Sequence, residues 1–197
     1  MYNANTFTKT IAPGHLVGMI RLRPDEDLRI SSDDLCEFYY TFKVSRSRAA
    51  RNAIGVSFVG SELSHLQCYN PQLHQESVYI CLATLAMGDG LAVEIAQQSH
   101  YNLLRQLGGC MDPKEVLAYR RAIPKGPFYE LLTIDDHIGL QRVKKGFPLG
   151  QQPTRDKAVF KQSERAFAAV GLTPHPGKRQ RQVSVATVLG AEVDGVV

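Results

Sequence analysis

A pair of adjacent carboxylates between two short apolar runs is the feature that most limits how this chain can fold. Residues 130–143 read ELLTIDDHIGLQRV, with β-forming residues on both sides of Asp135 and Asp136. Two such runs around a two-residue polar tip are typical of a β-hairpin. Adjacent carboxylates repel each other unless water or a bound cation separates their charges. The tip is therefore either a solvated turn, where aspartate is common in any case, or part of a metal site.

A second acidic segment makes the metal site the more attractive hypothesis. Residues 28–42 (LRISSDDLCEFYYTF) predict a short strand that ends at Asp33 and Asp34. The same aspartates could instead cap a helix that begins near Leu35. Because side chains alternate along a strand, Asp33 and Asp34 should point to opposite faces, and only one can reach a metal. Two acidic strand ends are what two Mg²⁺ ions about 4 Å apart require, since Mg²⁺ prefers oxygen ligands on rigid elements.

Composition restricts the class of protein. A chain of 197 residues with 44% hydrophobic and 21% charged residues can form one globular domain with a sizeable core. No apolar run is long enough to cross a bilayer, and residues 1–6 lack the pattern of a secretory signal. We therefore expect an intracellular protein, in the cytoplasm or nucleus, without a membrane partner. The four cysteines include no Cys-x-x-Cys pair, which argues against a zinc site or a disulfide framework.

The net charge of +4 is mild, but the basic residues are grouped along the chain. Each group alone is most simply a solvated surface. Around an acidic centre, several such groups would favour a nucleic-acid backbone as partner. The groups are Arg46, Arg48 and Arg51; Arg120, Arg121 and Lys125; Arg142, Lys144 and Lys145; Lys178, Arg179 and Arg181.

Periodicity and turn residues predict an α+β fold. The clearest helix covers residues 91–107, and a second amphipathic helix covers residues 156–170. Gln97 and His100 are expected on the surface of the first helix. Its apolar face would contain Leu91, Ile95, Ser99 and Leu103, with Ala96 and Leu107 beside them. Residues 113–122 favour a further helix. The remaining strands are expected at residues 16–20, 53–60, 77–82, 180–185 and 187–193.

Four motifs, in order along the chain, resemble those of reverse transcriptases. Residues 34–39 (DLCEFY) look like the first palm motif, with an aromatic residue five positions after the aspartate. Residues 85–88 (LAMG) are similar to the Leu-Pro-x-Gly motif, and residues 133–136 (TIDD) to the Tyr-x-Asp-Asp motif. Residues 169–178 and 188–195 resemble the helix, Gly-Leu turn, lysine and Leu-Gly strand that follow the catalytic hairpin in retroelement polymerases.

This resemblance spans residues 28–195 and has two departures. Thr133 stands where the family usually has an aromatic residue, and Ala86 where it usually has proline. Neither is a metal ligand, so the departures bear on efficiency and substrate positioning. The resemblance implies a polymerase palm over residues 28–197, an antiparallel sheet backed by helices. Residues 1–27 would then be a fingers remnant or N-terminal extension, with the fingers truncated and the thumb absent.

The activity implied is that of an RNA-directed DNA polymerase of a retrotransposon. Asp34, Asp135 and Asp136 would be its catalytic residues and, with the backbone carbonyl of Leu35, the ligands of two Mg²⁺ ions, which Mn²⁺ can replace. The enzyme would be a nucleotidyltransferase, transferring a nucleotide from a dNTP to a primer 3′-hydroxyl on an RNA or DNA template.

The family also implies contacts with the nucleotide or template for Leu35, Tyr39, Met87, Gly88 and Lys178. Tyr39 would lie under the deoxyribose and clash with a 2′-hydroxyl, and Gly88 would leave room for a templating base. Lys178 would approach the phosphates. A core aromatic, a helix cap and a surface lysine are the simpler interpretations of these three residues.

Two other functions fit the same sequence. One is a non-catalytic retroelement remnant or nucleic-acid-binding palm module, favoured by the missing fingers and thumb, which a longer polyprotein with nuclease regions could supply. The other is the palm of an RNA-templated RNA polymerase. The aromatic residue at position 39 favours DNA synthesis, because those enzymes usually recognise the ribose with a polar residue. The three aspartates favour an enzyme over a remnant.

Overall fold

The described part of the chain is a mixed α+β structure, as the sequence predicts. The computed structural model describes residues 10–148 and 153–196. Its α-helices are α1 (Arg46–Ala49), α2 (Ala92–Leu103) and α3 (Arg155–Ala169). Its strands are β1 (Glu26–Asp34), β2 (Ala53–Val59), β3 (Ser77–Cys81), β4 (Phe128–Thr133), β5 (Asp136–Lys144), β6 (Gln180–Val183), β7 (Val185–Val188) and β8 (Ala191–Asp194). None of the described helices has the length and apolar character that a membrane crossing needs.

These elements belong to two compact units. The first contains the described parts of Met1–Phe38 and Val93–Val197, and the second is Tyr39–Ala92. The first unit holds a four-stranded antiparallel sheet and the β7–β8 hairpin, whereas the second holds the β2–β3 pair. The functional boundary that the sequence suggests at residue 27 stays a prediction.

The four-stranded sheet places the two acidic segments side by side. Its strand order is β4-β5-β1-β6, and β1 is antiparallel to both of its neighbours. Because β1 ends where β5 begins, the last residue of β1, Asp34, lies opposite the first residue of β5, Asp136. The turn between β4 and β5 lies at the same rim of the sheet.

One face of this sheet packs on the N-terminal segment and on β7. Ile30, Leu131 and Leu140 are fully buried there, together with Leu16 and Val17. The strand predicted at residues 16–20 is wrong, because this segment forms the 3₁₀-helix Gly14–Met19. Leu16 and Val17 are neighbours and both are buried, which an extended strand with alternating side chains would not achieve.

The other face packs on α3. Both ends of this helix lie within one residue of the predicted ends. Phe160 and Phe167 of α3 are buried against the sheet. At Gly139 the approach is so close that a Cβ would lie 2.7 Å from the Phe160 ring and 2.9 Å from the Phe128 ring. Side chains larger than hydrogen are therefore excluded at this point of β5.

The helix predicted at residues 91–107 is confirmed as α2 followed by the π-helical turn Leu104–Gly108. The helix predicted at residues 113–122 is wrong. Val116 forms a parallel β-bridge with Glu130, and the Leu117 N–H donates to the Glu130 carbonyl at 2.9 Å. This segment thus runs beside β4 and forms backbone hydrogen bonds with it, in place of the hydrogen bonds that a helix would form internally.

The second unit consists of short elements around the β2–β3 pair, at the two places where strands are predicted. Helix α1 begins after Ser45, whose hydroxyl accepts from the Arg48 N–H at 3.3 Å. The Arg48 guanidinium pairs with the carboxylate of Asp89. Two 3₁₀-helices, Gly60–Leu63 and Pro71–Leu73, connect the strands.

Candidate active site

The β4–β5 hairpin turns one residue earlier than the sequence suggests. Thr133 pairs with Asp136, so the loop consists of Ile134 and Asp135, and Asp136 is already part of β5. Ile134 adopts a φ of +58°. Short hairpin turns use positive φ in the loop, but a β-branched residue rarely adopts it. Interactions outside the hairpin must therefore stabilise this turn.

Three aspartates from two distant segments meet at this rim. Asp34 of β1 and Asp136 of β5 are directly paired positions. The Leu35 N–H donates to the Asp135 carbonyl at 3.2 Å, which ties the end of β1 to the hairpin turn. Asp34 and Asp136 also interact through their side chains. We name Asp34, Asp135 and Asp136 the acidic rim.

Burial disfavours the charged forms of Asp135 and Asp136. Burial, together with the smaller effects of the neighbouring charges of Asp135 and Asp34, raises the pKa of Asp136 to about 6. Burial also raises the pKa of Asp135, with Asp34 again adding to the shift. A cluster of partly buried like charges is stabilised by any cation that enters it.

Lys178 is the cation that reaches the acidic rim. Its Nζ lies 3.2 Å from both carboxylate oxygens of Asp34, and this hydrogen bond raises the pKa of the lysine. The loop that carries it is fixed to β1, because the His175 N–H donates to the Asp34 carbonyl at 2.7 Å. The site opens into a cavity of about 460 Å³ lined by Asp34, Asp136 and Lys178 with Ser32, Gln180 and Thr187 among others.

The acidic rim offers carboxylate oxygens, the type of ligand that hard divalent cations bind. Carboxylate oxygens are what Mg²⁺ prefers, and the pKa of Asp136 is raised by burial and, to a smaller extent, by neighbouring negative charge that a cation would offset. Yet among the described residues no group of three or more His, Cys, Asp or Glu side chains is arranged to hold a metal. Lys178 instead binds Asp34. Leu35, 2% exposed, lies at the rim through its backbone.

Asp33 takes no part in this cluster, as the alternation along β1 predicts. Its side chain is fully buried on the α3 side of the sheet. It accepts from Arg179 Nε at 3.1 Å and from Arg181 at 2.9 Å. Glu164 of α3 accepts from the same two arginines at 2.7 and 3.0 Å. Asp33 of β1 is thus connected to the segment of β6 and, through the two arginines, to α3.

The other residues with a predicted substrate contact, Tyr39, Met87 and Gly88, belong to the second unit. Gly88 has a φ of +88° and open space where a Cβ would be, and Met87 is 65% exposed. Asp89, next in sequence, accepts from the Leu91 N–H at 3.2 Å, as expected of a residue before a helix. The predicted contacts with nucleotide and template stay predictions.

Two residues of α2 were assigned wrongly from the sequence. Gln97 and His100, expected on the surface, are 1% and 0% exposed. The predicted apolar face is exposed at Leu91 and Ile95, by 36% and 39%, and half-buried at Ser99 and Leu103. The buried face is one residue further round the helix, and its fully buried members are Ala92, Ala96, His100 and Leu104. The predicted face has the same i, i+4 spacing, so the spacing alone does not identify which of the two faces is buried.

Many of the basic residues are paired with carboxylates in the structure. This makes the grouped charges weaker support for a nucleic-acid surface than the sequence alone suggests. The pairs are Arg48 with Asp89, Arg142 with Glu26, Lys144 with Asp25, Lys178 with Asp34, and Arg179 and Arg181 with Asp33.

Comparison with known proteins assigns no family. No protein-family model matches the chain, and no curated protein matches it. The geometry of the acidic rim is therefore the basis for assigning a function.

We expect the Asp136 carboxyl to titrate near pH 6 in the metal-free protein. Since its pKa is raised in the folded state, that state keeps a proton which the unfolded chain releases between about pH 4 and pH 6. The free energy of unfolding should therefore fall as the pH rises through this window. Asp136→Asn should remove part of that dependence, as measured by urea unfolding from pH 4 to pH 7. Equal pH slopes for the two proteins would contradict the assignment.

Proposed function

We propose that this chain is the palm of an RNA-directed DNA polymerase of retroelement type. The observation on which the proposal rests is the convergence of Asp34, Asp135 and Asp136 from two chain segments at one rim of an antiparallel sheet. Helix α3 backs the opposite face of that sheet. Acidic residues at the edge of a helix-backed antiparallel sheet are the arrangement that the resemblance of the four motifs implies.

The acidic rim would hold the two Mg²⁺ ions, through the carboxylates of Asp34, Asp135 and Asp136. When bound, the ions lower the pKa of a primer 3′-hydroxyl and neutralise the triphosphate. The protein supplies the fixed placement of the carboxylates, because β1 and β5 are paired at this point and the Leu35 N–H ties Asp135 to β1. Rigid strands keep such ligands in a productive geometry.

Lys178 suits a contact with the phosphates. Its side chain is 61% exposed and its ammonium group already lies beside the Asp34 carboxylate. A flexible lysine can exchange one anionic partner for another, because its charge is compact and its stem has four carbons. An incoming triphosphate would present such a partner at the mouth of the same cavity.

A non-catalytic palm module that binds nucleic acid is the second candidate. Two observations favour it: the described residues form no three-ligand cluster of His, Cys, Asp or Glu, and Lys178 binds Asp34 where a metal would. In such a module the lysine would neutralise the acidic rim permanently. The two candidates differ in whether a divalent cation can displace this lysine.

Metal titration and primer extension test the proposal together. We expect the purified chain to bind Mn²⁺ and to extend a primed RNA template with dNTPs only when Mg²⁺ or Mn²⁺ is present. Asp135→Asn should lower the extension rate by at least about a hundredfold. A tenfold loss of rate corresponds to about 1.36 kcal/mol of activation free energy, and a bound metal stabilises the transition state by several kcal/mol. Omission of the divalent ion is the matched control. A folded chain that binds no Mn²⁺ would refute the proposal and support the non-catalytic module, whereas one that binds Mn²⁺ but extends no primer would refute the polymerase activity alone.

A further inference from the structure

We propose that Gln97 and His100 of α2 are positioning residues, which hold the β4–β5 turn in the conformation that aims the acidic rim. This inference rests on the proposed function and goes beyond it, since neither residue belongs to the motifs that suggest a polymerase. We name Gln97 and His100 the turn clamp.

The turn clamp binds the backbone immediately before the acidic pair. Gln97 Oε1 accepts from the Ile134 N–H at 2.7 Å, and its Nε2 donates to the Leu132 carbonyl at 3.2 Å. His100 Nδ1 donates to the Ile134 carbonyl at 2.8 Å. Both polar groups of the Ile134 backbone are therefore bound by one helix, and Asp135 follows directly in the chain.

Burial shows that these bonds are more than surface contacts. Gln97 is 1% exposed. His100 is fully buried, with its ring centroid 5.2 Å from that of Phe38 and 5.4 Å from that of Phe167. Burial lowers the pKa of His100 to about 3, so the imidazole is neutral and Nδ1 carries the proton it donates. A buried amide or imidazole is costly unless hydrogen-bonded. The turn provides partners for both ends of the Gln97 amide and for His100 Nδ1, whereas His100 Nε2 has no partner among the described residues.

The turn needs such support because of Ile134. Its φ of +58° is a left-handed conformation that a β-branched residue adopts only when its surroundings enforce it. Gln97 binds the amide of Ile134 and the carbonyl of Leu132 with the two ends of a single planar group. That pair of bonds fixes the direction in which the chain enters Asp135.

The clamp also reaches β1 through the turn. The Asp135 carbonyl accepts from the Leu35 N–H at 3.2 Å, one residue beyond Asp34. Helix α2, the hairpin turn and the end of β1 are thus connected by a continuous set of hydrogen bonds. Residues behind metal ligands that orient them typically contribute about 10–100-fold to metal affinity.

The test compares adjacent glutamines of the same helix. Gln97→Leu removes the clamp with little change in size, whereas Gln98→Leu makes the same change at an exposed side chain that bonds only within α2, to Asn102 at 2.9 Å. We expect Gln97→Leu to weaken Mn²⁺ binding by about 10–100-fold and to lower the rate of primer extension, with Gln98→Leu within twofold of wild type. Urea unfolding confirms that both variants are folded.

A rescue separates positioning from a general loss of stability. Glycine adopts positive φ without strain, so Gln97→Leu combined with Ile134→Gly should regain part of the lost Mn²⁺ affinity. If Gln97→Leu fails to fold, the Mn²⁺ affinities of the His100→Asn and His100→Phe variants are compared instead. The asparagine keeps an N–H donor near the position of Nδ1, and we expect it to bind Mn²⁺ more tightly than the phenylalanine variant.

The outcomes distinguish this inference from the proposed function. If wild type binds Mn²⁺ and the folded Gln97→Leu variant binds it equally well, the positioning role is refuted while the polymerase proposal stands. If Gln97→Leu does not fold, equal Mn²⁺ affinity of the His100→Phe and His100→Asn variants would likewise refute the positioning role and leave the polymerase proposal standing. If wild type and Gln98→Leu both bind no Mn²⁺, the proposed function fails, and the positioning role fails with it.

Discussion

An Asp34→Asn variant is expected to extend primers about 10³-fold more slowly than wild type while remaining folded. The change is isosteric and removes only the charge that the final residue of β1 contributes to the acidic rim. Asp34 is half-buried and its carboxylate has no role in the core, since its partner Lys178 is largely exposed. The measurements are extension rate at saturating Mg²⁺ and the urea midpoint of each protein.

Asp25→Asn is the matched control for this variant. It is the same chemical change just before the other end of β1, at an exposed carboxylate that pairs with Lys144 at the surface. We expect its extension rate to equal that of wild type. An equal loss of rate in both variants, or no loss in Asp34→Asn, would show that the acidic rim is not the catalytic centre.

The neighbouring substitution, Asp33→Asn, should affect folding and not chemistry. Asp33 is completely buried and receives hydrogen bonds from Arg179 and Arg181. Losing the charge leaves two guanidinium groups with a weaker acceptor, and we expect the free energy of unfolding to fall by about 2–3 kcal/mol. The value is at the lower end of the range for buried pairs because both arginines are partly exposed. Urea unfolding at constant pH measures it.

Glu164→Gln provides the comparison for Asp33→Asn. Glu164 accepts from the same two arginines, but its side chain is 41% exposed. Exposed ion pairs contribute little, so we expect a loss of no more than about 1 kcal/mol. If the two variants were equally destabilised, burial of Asp33 would not be the cause of its importance.

These opposite expectations for adjacent aspartates come from alternation along a strand, which is visible in the sequence. The residues around Asp33 and Asp34 predict an extended segment, and an extended segment sends neighbouring side chains to opposite faces. The same local reasoning predicts the hairpin around Asp135 and the helix α3. These features depend on short-range patterns of polar and apolar residues, which a single sequence displays directly.

The positions of Gln97 and His100 depend on contacts between distant parts of the chain. A glutamine and a histidine on a helix are ordinarily solvent-facing, and only the unsatisfied backbone of a turn far along the chain makes their burial favourable. That turn departs from its expected position because Ile134 and not Asp136 occupies the loop. Neither fact follows from local periodicity. The error in the apolar face of α2 has the same origin, since two polar residues occupy its buried side.

Residues 113–122 illustrate a third kind of error. Their composition allows a helix, but the neighbouring strand β4 offers backbone partners at Glu130. Tertiary hydrogen bonds then outweigh a weak helical preference, because helix propensity differs by less than about 1 kcal/mol for most residues. The 3₁₀-helix Gly14–Met19 replaces a predicted strand for a related reason, the burial of two consecutive apolar side chains.

The central position of β1 has a consequence for how the protein is made. Both strands that flank β1 in the sheet, β5 and β6, come from the later half of the chain. At about 5–20 residues per second, a ribosome needs on the order of 5–20 s to synthesise the roughly 100 residues between β1 and β5. Throughout that interval β1 lacks both of its partner strands, and Leu28 and Ile30 lack the core residues that β4, β5 and β7 later supply. Early binding of a chaperone to this strand would protect the nascent chain from aggregation.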